Sequence, residues 1–365
     1  MRRGTYLEIN LNNLENNLKN IVEYVKPKQF LPIIKANAYS MGAIAIIDIL
    51  NRNAKAVCVA IVPEAIQLKN NGYKGEVIVL DTCMEDEMED AINNDLILGV
   101  CSEEEVIKLN QFAKNKRKNV KVHLEIEAGL FRAGINIKNL NNFVTKCKQL
   151  SNISIDGIFA YFAGSENDEK YVQYQLDVLK EAVEIVSSNN VNVNYVHMSN
   201  LNLMKEEKAA KHITAVRSGL ALYGHDSNDS LCKVIPIKPV SKLVSRISFL
   251  KEIEKDESVG YSRKYIANKK EKIATVPIGY ADGISRALTN KGRVVINGTI
   301  CNIVGSVCMD SILVNVTHLN DVKMGDIVYI WDNEKIFVED IAKDSNTISQ
   351  EIISRIAPRV ERRYI

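Results

Sequence analysis

The chain has 365 residues, 46% of them hydrophobic and 25% charged, and its 47 basic and 45 acidic side chains leave a net charge of +2. That balance gives no electrostatic case for nucleic acid or an anionic membrane as partner, and no window approaches the roughly 18 apolar residues of a membrane span. The opening MRRGTYLEINL has neither a long apolar core nor a small-residue cleavage site, and the seven scattered cysteines (58, 83, 101, 147, 232, 301, 308) show no CxxC spacing, so a cytoplasmic protein without a disulfide framework or a zinc site is expected.

The first predicted element is a helix over LNNLENNLKNIVEYV, where Leu11, Leu14, Leu18, Ile21 and Val25 share one face at a 3.6-residue period. From about residue 30 to 220 the short apolar runs FLPIIK, AVCVAI, EVIVLD, LILGV, VKVHLEIE, SIDGIFAYF, NYVHM and TAVRSG follow one another. Helical stretches such as PEAIQLKNNG, SEEEVIKLNQFAK and EKYVQYQLDVLKEAVEIVSS separate them, and Ser102 with Glu105 forms a capping-box signature. Eight strands alternating with helices over about 200 residues is the pattern of an α/β (β/α)8 TIM barrel. The lysine-rich KNKRKN reads as a solvated face. After Gly224 the polar HDSNDS leads into VIPIKPVSKLVSRISFL, KIATVPIGY, GRVVINGTICNIVG, SILVNV and DIVYIW, strand-like runs broken by Gly, Pro and Asn. The expected division is a barrel over 10–225 followed by a mostly β C-terminal domain over 226–365, with residues 4–9 a candidate strand of the latter.

Barrel active sites lie at the C-terminal ends of the strands. Lys35, Arg132, Tyr161, His197, Arg217 and Gly219 all fall there. A lysine that closes an apolar strand needs an exit to solvent or a chemical use. Beside two arginines, a histidine and a tyrosine, with too few acidic partners to hold a metal, it suggests an anionic ligand and a Schiff base.

Lys35-Ala-Asn-Ala-Tyr39, AVRSGLALYG, VPIGYADG, IVGSVCMD and PRVERRY, with the opening YLEINLNNLENNL, together resemble the alanine racemase family across nearly the whole chain. The family's members are pyridoxal 5'-phosphate enzymes with an N-terminal barrel and a C-terminal β domain. The resemblance implies an amino-acid racemase acting on a small substrate, most simply alanine, with Lys35 as both the Schiff-base lysine and one of two catalytic bases. It implies that Tyr261, in GYSRKY, is the opposite base, supplied across a head-to-tail homodimer. Arg217 would face the cofactor's ring nitrogen and, being donor-only, keep it unprotonated; His197 would orient Arg217. Tyr39, Gly219 and Leu220 match phosphate positions. Arg132 matches the arginine near the substrate carboxylate, and Tyr280, Met309 and Asp310 match substrate-side positions.

Several positions depart from the family. IEAGLFRAG (126–134) stands for IDTGMGRLG, and Tyr161 replaces a histidine whose ring packs on the cofactor. Leu201 replaces a phosphate-contacting serine, so that Ser199, Asn200 or Ser218 must compensate; Met41 stands in a GHG segment, Ser306 in place of a channel arginine, and Arg355 in place of a tyrosine. Glu125 occupies the position of a lysine carbamylated in many members, and its carboxylate is expected to pair with Arg132. These changes leave open a racemase of another small amino acid such as serine, or a weakly active or inactive paralogue that binds the cofactor. A single-barrel cofactor carrier and a decarboxylase of the same fold type fit the C-terminal motifs less well.

Overall fold

The computed structural model describes residues 4–163, 168–199, 211–225 and 233–365. Strand β1 (Tyr6–Ile9) is followed by helix α1 (Leu11–Val25), which opens where Asn10 Oδ1 accepts the Asn13 N–H at 2.8 Å and buries Leu14, Leu18, Ile21 and Val25 as its period requires. Next come β2 (Gln29–Pro32), the short helical segment α2 (Lys35–Tyr39) and α3 (Ile47–Asn53). The strands β3 (Ala56–Val59), β4 (Glu76–Val79), β5 (Ile97–Val100) and β6 (Val120–Glu125) then alternate with α4 (Val62–Asn70), α5 (Met88–Asn93) and α6 (Glu103–Lys116). Helix α7 (Ile137–Gln149), β7 (Ile153–Ala160), α8 (Glu169–Ser188), β8 (Tyr195–Ser199) and β9 (Ala215–Ser218) complete the series.

Strands β2 to β9 form one parallel sheet of eight, in the order β2-β9-β8-β7-β6-β5-β4-β3. A bridge between Ile33 and Cys58, with Ile34 N–H donating to Cys58 O at 2.8 Å, closes it into a barrel. The continuous burial of strands such as AVCV and ILGV follows from having side chains on the barrel interior and helices outside. At α6 the Ser102 hydroxyl accepts the Glu105 N–H, while the Glu105 carboxylate receives the N–H of Cys101.

Beyond the barrel the chain is strand-rich: β10 (Ser241–Arg246), β11 (Phe249–Ile253), β12 (Ser258–Val259), β13 (Tyr265–Ile266), β14 (Glu271–Val276), β15 (Arg293–Ile296), β16 (Thr299–Asn302), β17 (Ile312–Asn315) and β18 (Ile327–Trp331). Two helices, α9 (Val338–Asp344) and α10 (Ser349–Ser354), precede β19 (Glu361–Tyr364). A six-stranded sheet runs β16-β15-β18-β10-β1-β19, so β1 pairs antiparallel with β10 and parallel with β19. Buried Trp331 donates its indole N–H to Ser241 O at 3.1 Å inside this sheet's core. Among the described residues no helix is long and apolar enough to cross a membrane.

Candidate active site

The barrel's C-terminal mouth is built around α2. Ala36 to Ser40 have φ of 52, 55, 54, 53 and 67°, a left-handed turn of five residues none of which is glycine. Such a conformation costs roughly 1–2 kcal/mol per residue for L-amino acids, so the surroundings must impose it. They do. Glu64 accepts the Ala36 N–H at 2.6 Å, and Asn37 Oδ1 accepts the Ala43 N–H at 2.8 Å. The C-terminal strand closes over the turn, Arg362 Nε donating to Ser40 O at 2.9 Å and Tyr364 Oη to Met41 O at 3.1 Å. Lys35 stands half-buried immediately before this turn. Tyr39 is buried against the Tyr223 ring, 5.0 Å between centroids, and burial pushes its phenol up to about 12. Gly219 lets that phenol approach, because a Cβ there would lie 2.5 Å from Tyr39 Oη. Leu220 then opens a 3-10 turn, whose first N–H groups have no intrahelical partner.

Arg217, on β9, is 1% exposed. Its Nη1 donates to His197 Nδ1 at 2.6 Å and its Nη2 to Ala160 O at 2.9 Å, while its buried Nε has no hydrogen-bond partner among the described residues. Burial lowers its pKa and drives His197 well below the usual histidine range, which the Arg217 charge reinforces. His197 stacks on Phe159 at 5.1 Å. The Tyr161 ring lies beside both arginines, 4.8 Å from the Arg217 guanidinium and 4.6 Å from that of Arg132.

A second group of side chains gathers outside the barrel. A cavity of about 490 Å³ is lined by Tyr261, Tyr280, Ser306, Met309 and Asp310, among other residues, and all of its lining falls between 261 and 311. Tyr261 is 73% exposed and Met309 is exposed too. Buried Ser306 donates its hydroxyl to Tyr261 O at 2.9 Å. The N–H groups of Tyr280 and Ala281 donate to Cys308 O and Met309 O, both at 3.0 Å, which binds the GYADG and CMD segments together.

The chain matches the family model for the alanine racemase N-terminal domain over residues 9–227 and that for the C-terminal domain over residues 240–364. The chain belongs to the alanine racemase family. It is 35% identical to the alanine racemase of Clostridium perfringens, over 99% of this chain and 95% of that one. Among solved structures, alanine racemase of Clostridium difficile 630 superposes with a TM-score of 0.93 at 33% identity, covering 99% of this chain and 96% of the other. An alanine racemase from Bartonella henselae with covalently bound pyridoxal phosphate gives a TM-score of 0.88 at 26% identity, covering both chains fully.

Within this family member, Lys35, Tyr39, Tyr161, His197, Arg217, Gly219, Leu220 and Arg132 lie at the strand ends of the barrel mouth, whereas Tyr261, Tyr280, Met309 and Asp310 line the separate cavity. Ser199 ends β8; Asn200 and Leu201 lie outside the described residues. Arg355 is exposed and pairs with Glu351 on α10. The expected Glu125–Arg132 ion pair does not form. Arg132 instead stands 3.9 Å from Asp81, and burial, opposed by the Arg132 charge, pushes the Glu125 carboxyl up to about 7. Phe131 fills a glycine position of the family motif with φ 54° and is 82% exposed.

Contributors missed in the sequence include Glu64, Arg359, Arg362 and His123. The first three act through backbone groups or across the fold, which residue spacing does not encode. His123 left one trace, a polar residue amid the apolar run VKVHLE.

Proposed function

We propose that the chain is a pyridoxal 5'-phosphate-dependent racemase that interconverts L- and D-alanine, working in the cytoplasm as a head-to-tail homodimer. The observation that carries this is Arg217. A fully buried guanidinium with an unsatisfied Nε, anchored by His197 and a strand carbonyl, is a costly arrangement unless a bound acceptor meets that nitrogen. A pyridine nitrogen suits it, and the open backbone at Gly219 and Leu220 beneath Tyr39 suits a phosphate. The residues present therefore fit the cofactor.

Lys35 would hold the cofactor covalently, with Tyr39, Gly219 and Leu220 at its phosphate, aided by Ser199 and Asn200, and with His197 and Tyr161 beside Arg217 and the ring. When bound, the cofactor supplies an electron sink for charge at the substrate α-carbon. Arg217 can only donate, so it would leave a ring nitrogen beside it unprotonated and keep the sink weak, which would limit side reactions. Inversion needs proton handling on both faces of that carbon. The Lys35 amine serves one face. Tyr261 of the partner subunit serves the other, an arrangement supported by its exposure and by a cavity walled wholly by the C-terminal region. Arg132 would hold the substrate carboxylate, and the partner subunit's Tyr280, Met309 and Asp310 would complete the pocket.

Borohydride reduction of the cofactor-loaded protein should fix label on Lys35, located by mass mapping. Chiral chromatography should show D-alanine formed from L-alanine. Label on another lysine overturns the reading at its root. The altered wall around Tyr161 and Phe131 favours one second reading, a preference for another small amino acid such as serine, and the same chromatography across amino acids separates the two.

A further inference from the structure

The hydrogen-bonded line at Arg217 does not stop at His197. His197 Nε2 lies 2.8 Å from His123 Nδ1, and His123 Nε2 lies 3.4 Å from Asp156 Oδ2. Both rings are fully buried and Asp156 is nearly so. The line thus runs from the barrel mouth, through the interior, to the polar groups at the strand starts. There Asp156 Oδ1 accepts from Asn194 at 2.8 Å and stands 3.6 Å from Lys121 Nζ, which also meets Glu76.

Two backbone features exist where this line needs them. Between β6 and β7 the register passes from Val122↔Ile155 to His123↔Gly157, leaving Asp156 as an extra residue, a bulge of the kind that re-aims a side chain. At the next position, Gly157, a Cβ would sit 2.7 Å from His123 Nε2 and Cδ2, so any larger residue would expel the ring.

We infer that His123 and Asp156 are positioning residues for Arg217, joined to it through His197 in a buried relay that holds both imidazoles in a single tautomer and aims the guanidinium at the barrel mouth. The inference rests on the reading of Arg217 as the cofactor-facing arginine. Its logic is directional. An arginine only donates, so His197 Nδ1 must be the bare acceptor, and its proton must sit on Nε2. His123 Nδ1 must then accept, and its Nε2 must carry the proton given to Asp156. A carboxylate at the far end accepts only, so no other arrangement satisfies every contact. Burial lowers the His123 pKa despite the pull of Asp156, while hydrogen bonds from His123 and Asn194 outweigh burial and keep the Asp156 carboxyl below its ordinary value. Around the relay stand Phe159, Tyr161 and Tyr195, the last holding Glu76 at 2.8 Å, and Cys58, Glu125 and Arg132 lie within electrostatic reach of Arg217.

The test is nitrogen NMR of the cofactor-loaded wild-type protein carrying 15N-histidine, tractable with five histidines in the chain. His123 and His197 should both be neutral and protonated at Nε2. A proton on Nδ1, or an imidazolium, at either ring overturns the relay. In Asp156→Leu the His123 Nε2–H loses its acceptor while Arg217 still fixes His197, so the His123 Nε2 shift should move. The variant's kcat should fall about 10- to 100-fold, the range for groups that orient a functional histidine, with KM little changed. An unmoved His123 shift overturns the Asp156 contact, a moved shift with kcat unchanged overturns the positioning role, and if this variant does not fold, the wild-type spectrum alone decides. Failure of Lys35 labelling or of racemisation would count against the proposed function and leave the tautomer result standing.

Discussion

Arg359 donates from Nη2 to Asp310 Oδ1 at 2.8 Å and from Nε to Asp282 Oδ1 at 2.7 Å. Asp282, fully buried, accepts the Gly279 N–H at 2.8 Å with its other oxygen. One guanidinium therefore knits together three stretches far apart in sequence: GYADG, CMD and PRVERRY. If Asp310 meets substrate across the subunit boundary, its orientation depends on Arg359. Arg359→Gln should lower kcat/KM on the order of tenfold, with Lys35 labelling retained. Steady-state kinetics and reductive labelling together check this; full activity in Arg359→Gln would mean that Asp310 is held by other contacts or is not needed.

Much of the barrel was legible because each buried parallel strand is a short apolar run between helical periods, and all eight runs are strands in the structure. The site was less so. Lys35 was expected at the end of a strand, yet β2 ends at Pro32 and Lys35 sits just ahead of a left-handed turn. Alanine, asparagine, tyrosine and serine do not announce five positive φ angles, because contacts from Glu64, Arg362 and Tyr364 impose them. The Glu125–Arg132 pair failed for a related reason: separation along a chain does not say which way a strand-end side chain turns, and Asp81 from β4's end reached Arg132 instead. The relay beyond His197 depends on a bulge, which no residue pattern marked.

The split between the barrel-mouth residues and the cavity around Tyr261 makes an assembly prediction. Lys35→Ala and Tyr261→Ala chains should each be inactive alone. Mixed and allowed to exchange subunits, they should regain activity, since a heterodimer carries one site with both bases. Verified heterodimers without activity would place both bases of a site in one chain.

Tyr161 separates packing from proton chemistry. Its ring sits 4.6 Å from Arg132 and 4.8 Å from Arg217, and burial raises its phenol pKa although Arg217 opposes this. A neutral phenol contributes through its ring face. Tyr161→Phe should keep kcat within about threefold, while Tyr161→Ala should lose about tenfold or more as the guanidinium–ring contacts go, each worth about 0.5–2 kcal/mol. Equal losses in both variants would point to the hydroxyl instead.

Glu125 gives the protein a stability that depends on pH. Its carboxyl is 5% exposed, and burial, only partly offset by the Arg132 and Arg217 charges, raises its pKa from 4.5 to about 7. The folded value lies above the unfolded one, so between these pH values the native state keeps a proton that the unfolded chain has released. The stability contributed by protonated Glu125 is therefore fully present below about pH 4.5 and is lost as pH rises through about 7. Allowing for partial solvation, the displacement is worth about 1–3 kcal/mol. Glu125→Gln keeps the shape of the protonated carboxyl and cannot ionise. It should match the wild type near pH 4, where both states are protonated, and exceed it by that amount at pH 8, as measured by denaturant unfolding at both values. Glu105, which burial also raises to about 7, contributes the same slope to both proteins and cancels in the comparison. A stability difference that does not change with pH would show that Glu125 is ionised throughout, with solvent or Arg132 satisfying its charge.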